Sequence, residues 1–175
     1  MSIREPVFPM TNSDFKFITT NRESDIAPLF RRVFTLPDKP IQKAVLTVCG
    51  LGYGYYWLNG QRITTDLFTA PVSDYTKTLW YNRYDVTKFL KPGENIAAAI
   101  LGNGWYNENY STPWDHDKAP WRDKPKFAFE LELDGIVVLK SDSEWKYSFD
   151  RSPIIFNHLR SGEHFDARLD DPTWN

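Results

Sequence analysis

Residues 126–140 read KFAFELELDGIVVLK, and the reading of this stretch decides the fold. Phe127, Phe129, Leu131 and Leu133 occupy alternate positions, with Lys126, Glu130 and Glu132 between them. A period of two marks a strand with one face on a core and the other toward water. Asp134-Gly135 follows. That pair accepts the positive φ angles of a two-residue turn, so IVVLK returns as the second strand of a hairpin.

The same chemistry recurs upstream. YGYYWL (53–58) and QRI (61–63) flank Asn59-Gly60, another strong hairpin signal. LFRRVFTL (29–36) reads as a strand stopped by Pro37, and the turn PDKP leads into the β-branched KAVLTVCGLG (43–52). Asp85 is placed to cap one helical turn, VTKFL, its carboxylate accepting from amides at the turn's start. Lys91-Pro92-Gly93-Glu94 makes a turn. ENIAAAILG (94–102) is a strand whose alanines predict the close approach of another sheet. This order predicts an all-β chain, a jelly-roll (galactose-binding-like) β-sandwich of two antiparallel sheets. Residues 1–27, with Pro6 and Pro9 and no sustained period, read as a leading arm. The sandwich is predicted over 28–160 and a linker toward a following domain over 161–175.

A chain of 175 residues can bury a core without disulfides or a structural metal, and 41% hydrophobic content excludes disorder. Lysine and arginine total 21 against 23 acids with no basic block, which argues against a nucleic-acid partner. No apolar run reaches membrane-spanning length, so no membrane partner is expected. MSIREPVFPM lacks a leader's apolar stretch, and the expectation is a soluble protein with the cytoplasm slightly favoured. The single cysteine, Cys49, sits in AVLTVCG without a neighbouring base or cation. It reads as a small buried hydrophobe rather than a reactive thiol.

RRVFTLPDKPIQKAVLTVCGLGYGYYWLNGQRI, APVSDYTK, YDVTKFLKPGEN and LGNGWYN, with SGEHFDAR near the end, resemble the N-terminal accessory domain of bacterial α-L-rhamnosidases. LNG followed by DVTKFLKPGEN is shared by jelly-roll accessory domains of several glycosidase families, whereas LGNGWY with GEHFDAR points to rhamnosidases. The resemblance implies a multidomain enzyme. Its catalytic acids would lie in a separate (α/α) barrel and hydrolyse a terminal rhamnoside with inversion. Ending at Asn175, this chain is expected to be a fragment or a stand-alone homologue. The expected role is non-catalytic: binding a rhamnose-containing carbohydrate or supporting the barrel. A purely structural module is the alternative, and an autonomous glycosidase comes last.

Two acids of the domain are candidates for catalysis within it. Glu130 and Glu132, two apart on a strand, stand about 6.7 Å apart at the backbone, near the roughly 6.5–9.5 Å of an inverting pair. They share a polar hairpin face with Lys126, so a solvated face is the expectation. Histidines 116, 158 and 164 have no ligand spacing, and Ser161 to His164 reads as a turn.

The remaining feature is the loop NGWYNENYSTPWDHDKAPW (103–121). Trp105, Tyr106, Trp114 and Trp121 offer faces for sugar C–H groups, and Asn107, Asn109, Asp115 and Asp117 offer hydroxyl partners. Anchoring to the core and contact with a catalytic domain compete with sugar binding as uses for these aromatics. Asp115 and Asp117 are hard oxygen donors of the kind calcium takes, without an EF-hand spacing. The resemblance implies calcium-assisted L-rhamnose binding in some such domains.

Overall fold

The structure is a computed structural model that describes residues 16–111 and 113–175. Its strands, in chain order, are β1 (Ile18–Thr19), β2 (Leu29–Leu36), β3 (Ala44–Leu51), β4 (Tyr53–Leu58), β5 (Gln61–Arg62) and β6 (Asn82–Asp85). Then come β7 (Gly93–Gly102), β8 (Lys126–Leu133), β9 (Ile136–Lys140), β10 (Lys146–Ser148), β11 (Ile154–His158) and β12 (Gly162–Phe165). One sheet has the order β1-β8-β3-β6, with β9 also on β8, and the other the order β10-β2-β7-β4-β5. Every pairing is antiparallel. The chain is the expected β-sandwich. Strands β11 and β12 form a separate ribbon.

Local chemistry sets the hairpins. Asn59 and Gly60 have φ of 52° and 77°, and Asp134 and Gly135 have 50° and 83°. Positive φ at both central residues is the type I′ turn, whose twist matches that of the strands it joins. Asp85 stands one residue before the cap position, Val86, and its carboxylate accepts from the Thr87 amide at 3.0 Å, at the start of the Thr87–Phe89 turn.

Phe127, Phe129, Leu131 and Leu133 all enter the core between the sheets, as the alternation predicts. Ala97 and Ala99 of β7 face the same core. Ala99 lies between Phe30 and Tyr56 on the neighbouring strands, so its small size leaves room for both rings. The inverse parity turns Ala98 and Ile100 outward.

Two asparagines tie the open ends of the second sheet. Asn95 is fully buried. Its amide donates to the carbonyls of Lys91 (2.7 Å) and Gly93 (2.8 Å) and accepts from the Lys91 amide (3.1 Å) and from Asn59 Nδ2 (2.8 Å). Asn59 also donates to the Phe89 carbonyl at 2.8 Å and accepts from the Ile96 amide at 2.9 Å. Thus LNG and GEN, far apart in sequence, form one polar knot that satisfies backbone groups no strand partner reaches.

Within the stretch read as a leading arm, Ile18 and Thr19 pair with Phe127 and Lys126 of β8. Residues 1–15 lie outside the described residues. Within the stretch read as a linker, β12 pairs with β11. That ribbon lies over the outer face of the second sheet, where Ile154 packs with Ala27, Leu29 and Ile100. No helix among the described residues is long and apolar enough to cross a membrane.

Candidate functional site

The loop after β7 is pinned from its first residue. The Asn103 amide donates to Asn157 Oδ1 at 2.5 Å, and Asn157 Nδ2 donates to the Asp25 carbonyl at 2.6 Å. Asn107 is buried; its Nδ2 donates to Asn103 Oδ1 at 2.8 Å and its oxygen accepts from Arg122 at 2.9 Å. Tyr106 is buried with Cys49, Leu51 and Ala128 on the far side of the first sheet, edge-on to Tyr75. Tyr106 and Asn107 therefore occupy the anchoring role that competed with sugar contact. Burial pushes the Cys49 thiol up to about 12.

The other expected site residues lie nearer the surface. Trp105 is half-buried, with ring centroids 4.9 Å from His116 and 6.2 Å from Trp114. Trp114 is 59% exposed under the Arg160 guanidinium, whereas Trp121 packs against Tyr75. Asn109 donates to the Asp25 carboxylate at 3.3 Å. Asp115 is held by Lys118 at 2.7 Å, and Asp123 by Lys126 at 2.7 Å. Among the described residues no group of three His, Cys, Asp or Glu side chains is placed to hold a metal ion. Calcium at Asp115 and Asp117 would have to displace the lysine.

A buried chain of polar groups links this loop to the ribbon. Glu108, fully enclosed, accepts at Oε1 from the Tyr110 amide (3.1 Å) and meets His158 Nε2 at 2.6 Å. The Ser161 amide donates to His158 Nδ1 at 3.0 Å, which makes Nδ1 the acceptor and leaves the proton on Nε2 for Glu108. Among the described residues Glu108 Oε2 has no partner. Residue types alone did not single out Glu108. The signal available was its place in the asparagine-rich run that pins the loop.

The ribbon and the sheet enclose a pocket of about 390 Å³. This lies within the range of about 300–1,000 Å³ usual for small-ligand sites. Tyr53, Tyr55 and Phe68 form one wall, and Ile154, His158 and Leu159 the other. Its floor includes Ile100 and Gly102, and Glu163 stands at the rim, exposed. A Cβ on Gly102 would meet Asn157 Oδ1 at 3.2 Å, so the bare glycine lets the Asn157 amide come close to the sheet. Both His158 nitrogens are already engaged, so the ring presents carbon to the pocket. Burial raises the Tyr53 hydroxyl's pKa, and a hydrogen bond with Trp105 works the other way.

Phe68 is the unusual member. It is 66% exposed, its φ is 54°, and its ring stands edge-on to Tyr53 at 5.3 Å. Left-handed backbone costs a non-glycine residue about 1–2 kcal/mol, and here it holds a large apolar ring in water at the pocket mouth. Neither Phe68 nor Tyr53 and Tyr55 was singled out from the sequence, and none of the six carbohydrate candidates lines the pocket.

The two candidate catalytic acids each face a cation. Glu130 meets Lys140 at 3.3 Å and Glu132 meets Arg83 at 4.0 Å. Ser161 turns back onto His158 rather than toward His164, which stacks with Phe156 in the ribbon.

An antiparallel β-sandwich with an aromatic-lined pocket on the outer face of one sheet is the class that fold and site define. The chain belongs to the α-L-rhamnosidase N-terminal domain family, whose model matches residues 39–175. It is 36% identical over 156 residues to an α-L-rhamnosidase of Formosa agariphila, covering 85% of this chain and 16% of the relative. A Streptomyces avermitilis α-L-rhamnosidase is 33% identical over 148 residues, covering 82% of this chain and 14% of the relative. The crystal structure of a Streptomyces avermitilis α-L-rhamnosidase complexed with L-rhamnose superposes with a TM-score of 0.75 at 33% identity, over 83% of this chain and 14% of that one. That of native Aspergillus terreus α-L-rhamnosidase gives 0.78 at 30% identity, over 89% and 19%. The chain thus spans about a sixth of the curated relatives' length.

Proposed function

We propose that this domain is a non-catalytic, carbohydrate-binding accessory module of an α-L-rhamnosidase, and that the pocket between β4, β7 and the β11–β12 ribbon holds the sugar. The family supplies the setting, and Phe68 is the observation that carries the reading. A residue kept in a costly backbone conformation with its ring in water earns selection through something other than stability. Set edge-on to Tyr53 in the lining that Tyr55 shares, its ring keeps a flat apolar face for sugar C–H groups. Ile154 and Leu159 on the opposite side suit a 6-deoxy sugar such as L-rhamnose, whose methyl group needs no polar partner, and the exposed Glu163 can accept from hydroxyls.

Support of a catalytic barrel by interdomain contact is a second reading, favoured by the exposed Trp114, Leu67 and Phe165. Calorimetric titration of the 175-residue chain with L-rhamnose, with and without calcium, separates the two. Saturable heat that Tyr53→Ala weakens at least tenfold supports the pocket. The absence of heat at millimolar sugar in either buffer overturns sugar binding and leaves the interdomain role. Heat only with calcium, lost in Asp117→Asn, would move the ligand to the 114–121 loop.

A further inference from the structure

We propose that the pocket is the first of two adjoining sugar positions and that Trp114 with Arg160 forms the second, so that the ligand is a rhamnosyl disaccharide or longer chain rather than a free monosaccharide. The second position deepens the pocket reading and rests on it for the first sugar, but its own residues are different. Neither Trp114 nor Arg160 lines the pocket.

Two routes place Trp114 beside the pocket. Gly104 belongs to the lining, and the next residue, Trp105, reaches the hydroxyl of Tyr53 in the same lining. The ring centroids of Trp105 and Trp114 are 6.2 Å apart. From the ribbon, Leu159 and Gly162 belong to the lining as well. Arg160, between them in sequence, sets its guanidinium over the Trp114 ring, 5.0 Å from the centroid. The loop after β7 and the turn between β11 and β12 therefore meet at Trp114, next to the part of the lining that Gly104 and Leu159 supply.

The chemistry of the pair suits a sugar. The other tryptophans of the loop are used in packing: Trp105 is half-buried against His116, and Trp121 packs on Tyr75. Trp114 stays 59% exposed. An indole left this open adds little to the core, whereas the C–H face of a sugar can cover it. Arg160 is exposed, and among the described residues no carboxylate pairs with it. Resting on the ring, its guanidinium keeps a planar fork of N–H donors at little entropic cost, and these suit hydroxyl oxygens. A sugar linked to the one in the pocket would meet an apolar face and fixed donors together.

The test is calorimetry of the 175-residue chain with methyl α-L-rhamnoside and with the α-linked rhamnosyl-rhamnose disaccharides joined through O2 or O4. At least one disaccharide is expected to bind about fivefold tighter than the methyl glycoside, the change that a contact residue short of a fully desolvated centre decides. Trp114→Ala and Arg160→Ala should each cut that advantage to about twofold or less while the methyl glycoside binds as before. Both side chains are exposed, so neither truncation opens the core, and Trp114→Phe, which keeps a ring, should keep most of the advantage. Disaccharides that bind no tighter than the methyl glycoside, or an advantage retained in Trp114→Ala, overturn the second position and leave Trp114 to the interdomain reading. An advantage lost in Trp114→Ala but kept in Arg160→Ala overturns the part given to Arg160. Methyl rhamnoside binding without a disaccharide advantage defeats this inference alone, whereas no binding of any of these glycosides defeats the pocket reading and this inference with it.

Discussion

Replacing Phe68 with glycine separates stability from binding, and the structure fixes the expected size of each. Glycine recovers about 1–2 kcal/mol because its φ of 54° no longer strains a Cβ. It gives back roughly 0.4–1 kcal/mol through the larger freedom of the unfolded chain. The edge-on contact with Tyr53 at 5.3 Å is lost as well, and such pairs are worth about 0.5–1.5 kcal/mol. These terms nearly cancel, so the net change lies within about 1 kcal/mol of zero, or ~2–4 °C in Tm for a domain of this size. Binding behaves differently. A contact residue at the mouth of a site, short of a fully desolvated centre, costs about 1 kcal/mol when it matters, which is roughly a fivefold loss of affinity. Differential scanning calorimetry and L-rhamnose titration on the same preparation read both. Affinity kept within threefold would show that Phe68 is no sugar platform. A fall in Tm beyond about 8 °C, twice the largest shift expected from these contributions, would show that the ring holds the fold and that its strain has a structural reason.

Asn95→Ala removes four hydrogen bonds of a fully buried side chain and strands the carbonyls of Lys91 and Gly93. At about 1 kcal/mol each the loss is ~4 kcal/mol, read by urea unfolding; a loss under about 1 kcal/mol would mean that water replaces the amide without penalty. In Asn59→Ala combined with Asn95→Ala the costs should fall short of additive by about 1 kcal/mol, because the pair shares a bond. Cys49, its pKa raised to about 12 by burial, is protonated in the folded state, whereas the unfolded chain ionises near its ordinary value. The sign follows: the preference for the neutral thiol is satisfied below about pH 8.5, and stability declines as pH climbs from there toward 12. Native protein at pH 8 should therefore resist a disulfide reagent and react with one equivalent only in guanidinium; fast native reaction would contradict the burial.

The parts of the fold legible in the sequence are those set by neighbouring residues. Asn59-Gly60 and Asp134-Gly135 dictate their turns because positive φ is a local demand. The alternation of β8 declares its buried face because β3 and β9 meet it in a regular ladder. The ribbon was not legible. IIFNH has consecutive apolar residues, and its register slips between Ile154 and Phe156, so neither strand shows a period of two. It is made a strand by Ala27, Leu29 and Ile100 beneath it, contacts that no window of sequence contains. The two-residue β1 was hidden for the same reason.

The loop 103–121 was legible as an unusual aromatic segment, but the uses of its residues divide by distance. NGWY looked like a turn, and its asparagine grips Asn157 on β11, over fifty positions away. Glu108 then holds His158, and His158 holds the turn at Ser161. These bonds fasten the ribbon to the sheet, and the pocket exists only because the ribbon stands off the face that carries Tyr53 and Tyr55. The asparagines and Glu108 thereby govern the pocket's width from behind its wall. The rings on the wall come from β4 and from a segment near residue 68 that has no periodicity to announce it. Side chains of sugar-contacting type were conspicuous in one loop, whereas the cavity was assembled from three segments that the loop merely clamps. Chemistry was readable from residue types, but concavity belongs to tertiary structure alone.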